Sequence, residues 1–133
     1  MTDDKKITAH VTETGDSAYA VAIEVNGHKL KGDEPESFGG GNTGPAPYDL
    51  LAAALGECTA MTVRWYAIQQ KWPLEKVEVT LTHQKVEKVD KFEKKITIHG
   101  DVLTDEQRQK LIEIAAKCPV QRTLEGKVEI TTV

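Results

Sequence analysis

The sequence predicts an α+β fold with mostly antiparallel sheets, and three observations support it. Several short segments alternate apolar and polar residues, as half-buried strands do. One long, alanine-rich segment has the spacing of a helix, and a second helical segment follows near the C-terminus. Taken along the chain, the predicted elements have the order βββ-α-ββ-α-β, with one unusually apolar helix.

The first three predicted strands are separated by two turn signals. Ile7 and Val11 lie before a turn at Gly15-Asp16, and the alternation from Tyr19 to Val25 follows it. Asn26-Gly27 is a strong tight-turn signal, and it leads into a short third strand over residues 28–31.

A glycine- and proline-rich loop follows the third strand. Residues 32–46 have no periodicity, and the run GGGNTGPAP over residues 39–47 must lie on the surface or along a partner. Two interpretations stay open for residues 38–47: a loop held against a partner subunit near Cys58, or a mobile surface loop.

The long helix is predicted over residues 48–71, with Pro73 marking its end. Its other faces carry many alanines, which let another element approach closely, so we expect it to be central and nearly surrounded. One apolar face is predicted by steps of three and four residues: Leu51, Ala54, Leu55, Cys58, Met61, Thr62 and Trp65.

A hairpin, a second helix and a last strand complete the prediction. Two strands of period two are expected over residues 76–81 and 92–102, with a turn at residues 89–91. A capping box at Thr104 begins the second helix, whose apolar face would include Cys118 before Pro119 stops it. The last strand is predicted over residues 128–133.

Length and charge restrict the class of protein. The chain has 133 residues, enough for a single domain over residues 1–133, and a net charge of −4 with lysines and acids interleaved. We therefore expect no nucleic-acid binding, because no basic stripe exists. Residues 1–6 lack the apolar core of an export signal, and the weakly polar stretch 50–63 is too short to span a bilayer. A cytoplasmic protein without membrane contact is expected.

The two cysteines, Cys58 and Cys118, are the candidate chemical groups. Neither belongs to a C-x-x-C pair, and the four histidines lack metal-ligand spacing, so no metal site and no cofactor are expected. One interpretation is that both thiols are small hydrophobes packed in the core. The other is a redox dithiol, in which one thiolate attacks an oxidant and the second thiol resolves it. Spacing alone leaves both open.

Two cysteine motifs resemble those of one family. Residues 44–62, GPAPYDLLAAALGECTAMT, and residues 116–124, AKCPVQRTL, closely resemble the OsmC/Ohr family of osmotically inducible and organic hydroperoxide resistance proteins. The length and the order of elements fit the same family. The resemblance is specific because both motifs occur together.

The resemblance implies a thiol peroxidase with the OsmC-like fold. Cys58 would reduce an organic hydroperoxide to an alcohol and become a sulfenic acid, and Cys118 would resolve it as a disulfide. A dithiol reductant, such as a lipoylated protein, would restore the thiols. The apolar neighbours of Cys58 suit an organic peroxide.

An intertwined homodimer is expected, with Cys58 near its interface. The alanine-rich helix is too apolar for a 133-residue monomer to cover well, and exposed apolar patches of that kind mark interfaces.

The sequence departs from the peroxidases of this family at two charged positions. They carry a glutamate ten residues before the first cysteine, where this chain has Tyr48, and an N-terminal arginine, whereas no arginine precedes Arg64 here. Arg122 is the candidate replacement for the guanidinium, and Glu57 could supply a carboxylate. Asp49 would lie opposite Cys58 on the helix and is interpreted as a helix-start carboxylate.

A non-enzymatic alternative follows from these departures. The chain would then be a stress protein that binds a small apolar ligand in the dimer cleft, with both cysteines merely packed.

Overall fold

The structure is a computed structural model that describes residues 6–133 and consists of two compact units. The first unit ends at Leu50, and the second extends from Leu51 to Val133. Antiparallel sheets and helices confirm the predicted α+β class. The assignment of one domain to residues 1–133 stays a prediction, and residues 1–5, on which the absence of an export signal was judged, lie outside the described residues.

The first unit is built on a three-stranded antiparallel sheet in the order β1-β2-β3. Its strands are β1 (Ala9–Glu13), β2 (Val21–Val25) and β3 (His28–Gly32). Asn26 and Gly27 join β2 to β3 with φ of 50° and 82°. Two consecutive positive φ angles match the twist of a hairpin, so the predicted turn is confirmed.

The glycine-rich loop after β3 is held by the carboxylate of Asp33, which is 3% exposed. Backbone N–H groups of Glu34, Gly41 and Thr43 and the hydroxyl groups of Ser17 and Thr43 donate to it over 2.8–3.2 Å. A Cβ on Gly40 would lie 2.1 Å from the carbonyl oxygen of Glu34, which explains a glycine there. The loop is thus fastened by its own chain, while its contact with a partner subunit stays a prediction.

Asp33 gives the first unit a pH-dependent stability. Burial raises the pKa of its carboxyl, but the hydrogen bonds from Thr43, Ser17 and Glu34 outweigh burial and lower the pKa from 3.8 to about 2. Because the folded state holds the ionised form, this stabilisation is complete above pH 4 and is lost as the pH falls towards 2.

Asp33→Asn should therefore lower the thermal unfolding midpoint at pH 7, and the gap to the unmodified protein should narrow between about pH 4 and about pH 2. Asp16→Asn, at an exposed aspartate of the same unit, is the matched control and should leave the midpoint nearly unchanged. Parallel midpoint curves for Asp33→Asn and the unmodified protein down to pH 2 would contradict this role.

The second unit contains the long helix, a two-stranded antiparallel sheet and two shorter helices. Its elements are α1 (Pro47–Gln70, whose first turn belongs to the first unit), β4 (Lys76–Val86), β5 (Val89–His99), α2 (Asp105–Ala115) and α3 (Pro119–Glu125). The predicted helix over residues 48–71 is confirmed within one residue at each end. The capping box of Thr104 and Gln107 is present, with the Gln107 N–H donating to Thr104 Oγ1 over 3.1 Å.

A compact apolar cluster joins α1, the β4–β5 hairpin and α2. Its buried members are Val63, Ala67, Leu74, Leu103, Leu111 and Ala115. Arg108 of α2 donates from Nη1 to the carbonyl oxygen of Ile98 over 2.8 Å, which fastens the helix to the end of β5. This cluster positions the middle of α1 against the loop that follows α2.

The buried face of α1 differs from the predicted one. Leu55 and Thr62 are buried as expected, but Met61 and Trp65 are 58% and 57% exposed, so the helix is not surrounded within the second unit. The buried line runs through Thr59, Val63 and Ala67 instead. Within residues 6–133 no helix is both long and apolar enough to cross a membrane.

The hairpin turn was predicted to begin two residues too late, at residue 89 instead of residue 87. Val86 pairs with Val89, so Glu87 and Lys88 alone form the loop, with φ of 50° and 69°. Such a turn favours Asn and Gly, and two charged residues give no turn signal in the sequence.

The last predicted strand is wrong for this chain. Residues 127–133 are in no strand, and Val128 and Ile130 are 57% and 86% exposed. A strand requires a neighbour to accept its hydrogen bonds, and neither described sheet pairs with this segment. Instead, a third helix, α3, follows Cys118.

Candidate dithiol site

Cys58 and Cys118 meet at the first turn of α3, although 60 positions separate them in sequence. The Val120 N–H donates to Cys58 Sγ and the Gln121 N–H donates to Cys118 Sγ, each over 3.4 Å. The two thiols also affect each other's pKa, and both cysteines are free. Cys58 is partly buried, whereas Cys118 is completely buried.

The local sequence explains the position of Cys118. Helix α2 ends at Ala115, before the predicted position, so Cys118 does not lie on its apolar face. Cys118 is the N-cap of α3, and its sulfur takes the place of the usual capping oxygen. Pro119 occupies the first helical position, where its missing N–H costs nothing. The proline therefore ends one helical segment and also starts the next.

Thr59 and Lys94 form the polar side of the site. Thr59 is fully buried, and its hydroxyl lies 2.8 Å from the Leu55 carbonyl oxygen and 3.5 Å from Cys118 Sγ. Lys94 Nζ donates to Thr59 Oγ1 over 3.1 Å and to the Ala115 carbonyl oxygen over 2.7 Å. The Thr59 hydroxyl thus lies between the Lys94 ammonium group and the buried Cys118 sulfur and contacts both.

The two thiols have opposite pKa shifts. Burial raises the pKa of Cys58, and the neighbouring Cys118 raises it further, despite the hydrogen bond from Val120. Burial also acts on Cys118, but hydrogen bonds from Thr59, Gln121 and Cys58, together with the charge of Lys94, lower its pKa. The negative charge of a singly ionised pair therefore belongs on Cys118.

In the described part of the chain, no hydrogen bond joins the other candidate side chains to the sulfurs. Arg122 is exposed, and its guanidinium makes no ion pair or hydrogen bond in the described part of the chain, so its catalytic role stays a prediction. Glu57 is likewise exposed. Asp49 accepts the Ala46 N–H over 2.9 Å at the start of α1, which is the helix-start role expected of it.

Lys94 is the site residue that the sequence analysis missed. The inward face of β5 carries Phe92, Lys94, Ile96 and Ile98, so a lysine interrupts an apolar alternation. Half-buried strands seldom place a charged residue on the inner face, and this interruption was the available signal. Thr59 gave no comparable signal, because threonine is ordinary in an apolar helix.

The fold and the site together define the class of protein. It is an α+β protein in which two cysteine thiols meet where a long helix contacts a short one. The family profile described as OsmC-like protein matches residues 39–133, and the chain belongs to the OsmC family. A search of curated protein sequences found no significant match.

Solved structures share the fold. The OsmC-like protein of Mycoplasma pneumoniae superposes with a TM-score of 0.78 at 19% identity, covering 92% of this chain and 89% of that one. An organic hydroperoxide resistance protein OsmC from Legionella pneumophila gives 0.68 at 24% identity, covering 94% and 93%. The organic hydroperoxide resistance protein OhrB of Bacillus subtilis gives 0.60 at 24%, covering 92% and 93%. The predicted OsmC-like fold is thereby confirmed.

Proposed function

We propose that the chain is a cytoplasmic thiol peroxidase that reduces organic hydroperoxides in oxidative-stress defence. The observation that carries the proposal is the meeting of Cys58 and Cys118 on consecutive N–H groups of α3. Two packed cysteines have no need to contact each other, whereas a dithiol catalyst requires it. Membership of the OsmC family, in which related folds are named for organic hydroperoxide resistance, supports the same reaction.

Each thiol carries out one step of the reaction, and the exposure of the two sulfurs indicates which step belongs to which. Cys58 is the more accessible sulfur, so it attacks the terminal peroxide oxygen; the O–O bond breaks and the alcohol leaves. Cys118 then attacks the Cys58 sulfenic acid, forming the disulfide and releasing water. The net reaction converts one dithiol and one hydroperoxide into a disulfide, an alcohol and water, and a dithiol reductant reverses the oxidation.

The apolar surroundings favour an organic peroxide. Leu55 is buried one turn before Cys58, and Met61 lies one turn after it. Together with Trp65, Ile68 and Val77, Met61 lines an apolar hollow of about 410 Å³ on α1.

Peroxide consumption by the purified protein tests the proposal. Cumene hydroperoxide should be consumed faster than hydrogen peroxide, and dihydrolipoamide should sustain turnover better than a monothiol such as glutathione. The control is the same assay after both thiols have been blocked with an alkylating reagent under denaturing conditions and the protein refolded. Absence of consumption with every reductant, from protein that still titrates two free thiols, would reject the peroxidase.

The apolar hollow favours a second candidate function, the binding of a small apolar ligand by a non-enzymatic stress protein. In that function the cysteines are only packed, in keeping with the raised pKa of Cys58. Quenching of Trp65 fluorescence by apolar ligands, with no peroxide consumption, would favour it.

A homodimer forms part of the proposal, because the chain leaves two apolar surfaces uncovered. One is the face of α1 with Met61, Trp65 and Ile68, each more than half exposed. The other is the segment 128–133, whose alternating pattern fits a strand and which pairs with none of the described strands. A second copy that supplies the missing neighbour would intertwine the two chains.

Sedimentation should therefore show a stable species of twice the 14.7 kDa of the chain at micromolar concentration. Trp65→Glu should shift it towards the monomer, because burying a carboxylate in an apolar interface is costly. Val102→Glu, at a 78% exposed position outside both surfaces, is the control and should leave the dimer intact. A stable 14.7 kDa species for the unmodified protein would contradict the dimer.

A further inference from the structure

Lys94 is a partly buried cation with no carboxylate partner among residues 6–133. It lies on the inner face of β5, opposite Leu81 in the hairpin register. No carboxylate oxygen in the described part of the chain lies within 4.0 Å of its ammonium group, whereas Thr59 and Ala115 offer it neutral oxygens only. A desolvated charge of this kind costs free energy unless an anion balances it.

Thr59 connects that charge to Cys118. Its hydroxyl has one proton, and Lys94 donates to the oxygen, so the proton is free to turn towards either the Leu55 carbonyl or Cys118 Sγ. A thiolate on Cys118 would attract that proton and supply the anion that Lys94 lacks. The Cys118 sulfur also receives the Gln121 N–H, so a charge there has donors from α1 and α3 and a cation from β5.

We propose, building on the peroxidase function above, that Lys94 and Thr59 are positioning residues that keep Cys118 as a thiolate, and that this thiolate is the base that accepts the Cys58 proton during attack on the peroxide. As the Cys58 sulfur forms its bond to oxygen, its proton passes to Cys118 and from there to the departing alkoxide, which leaves as the alcohol. Cys118 is again a thiolate and displaces hydroxide from the Cys58 sulfenic acid to form the disulfide. Cys58 loses two electrons in the first step, and charge and protons balance across both.

Among the residues that the structure describes, two titratable groups are placed at the Cys118 sulfur. Cys58 faces Cys118 from α1 and Lys94 faces it from β5, while α3 presents backbone N–H groups and its Arg122 is exposed. The shifts of the two pKa values, lowered for Cys118 and raised for Cys58, agree with a proton held on Cys58. The positive charge that was expected of Arg122 is thus supplied by Lys94 of β5.

Thiolate absorbance tests this role without any peroxide. In a Cys58→Ser background Cys118 is the single thiol, and its ionisation is followed by ultraviolet absorbance against pH. Lys94→Met should move the titration midpoint up by about one pH unit, which is a tenfold smaller thiolate fraction below the midpoint. Lys95→Met, which removes the same charge from the neighbouring exposed position, should leave the midpoint unchanged.

Thr59 variants provide a second, milder test. Thr59→Val should raise the Cys118 midpoint and Thr59→Ser should restore it, because serine keeps the hydroxyl. In the protein with both cysteines, Lys94→Met should also slow disulfide formation and increase sulfinic acid on Cys58 after peroxide treatment, as seen by mass spectrometry.

The outcomes separate the two proposals. Equal midpoints for Lys94→Met, Lys95→Met and the parent would overturn the role of Lys94, even if the protein consumes peroxide. A raised midpoint in a protein that consumes no peroxide would uphold the Cys118 thiolate held by Lys94 and Thr59, and it would reject both the peroxidase function and the role of this thiolate as its base.

Discussion

Cys58→Ser is expected to abolish peroxide consumption, whereas Cys118→Ser is expected to stop the reaction at a sulfenic acid on Cys58. The partly exposed Cys58 forms the bond to oxygen, and no other described thiol can replace it, because Cys118 is completely buried. Without Cys118 the sulfenic acid has no resolving thiol and can be trapped. The attack itself should be slower by about a hundredfold, because a positioned general base is lost.

Mass spectrometry of Cys118→Ser protein treated with one equivalent of cumene hydroperoxide makes the measurement. One added oxygen on Cys58, captured by a sulfenic-acid reagent, is the expected product. Thermal unfolding of both serine variants checks that each is folded. An unmodified Cys58, after a reaction time extended to allow for the slower attack and under conditions that oxidise free cysteine, would show that the thiol is merely packed and would favour the apolar-ligand function.

Leu111→Ala is expected to lower the free energy of unfolding by about 2–5 kcal/mol, the usual cost of removing a buried leucine side chain. Leu111 is completely buried at the centre of the cluster that joins α1, the hairpin and α2. Because that cluster also positions the loop that carries Cys118, the variant should lose peroxide consumption at temperatures where the unmodified protein keeps it.

Urea denaturation gives the change in the free energy of unfolding. The variants are compared with one common slope for the dependence of that free energy on urea concentration. Ile112→Ala is the matched control: it removes a similar volume at the next position of α2, where the side chain is 38% exposed. Its effect should be well under half that of Leu111→Ala. Equal effects of the two substitutions would mean that the cluster does not hold the second unit together.

Much of the fold could be predicted from local patterns. Alternation located the strands, Asn26-Gly27 fixed one hairpin, and the Thr104 capping box fixed the start of α2 within one residue. These features depend on residues close together in sequence, where propensity and hydrogen bonding act directly. The motifs around Cys58 and Cys118 also indicated the family that the profile then confirmed.

The wrong predictions arose where the local sequence fits more than one structure, or where contacts between residues distant in sequence determine the structure. Glu87 and Lys88 form a tight turn that neither residue favours, because the long pairing of β4 with β5 imposes it. Residues 128–133 have a strand pattern without a described neighbour. The approach of Lys94 to Cys118 depends on how β5, α1 and the loop after α2 pack together, which no spacing in the sequence encodes.

The complete burial of Cys118 also makes this thiol a natural probe of motion in the second unit. A bulky disulfide reagent is expected to reach its sulfur when the Cys118–Glu125 segment moves away from α1 and breaks the 3.4 Å contact between the Val120 N–H and Cys58 Sγ. The slow phase of thiol labelling in native protein, compared with labelling in denaturant, therefore gives the free energy of that local opening, as amide hydrogen exchange does for backbone groups. One pair of labelling rates would thus show how often this short helix leaves its place, with no engineered residue added to the chain.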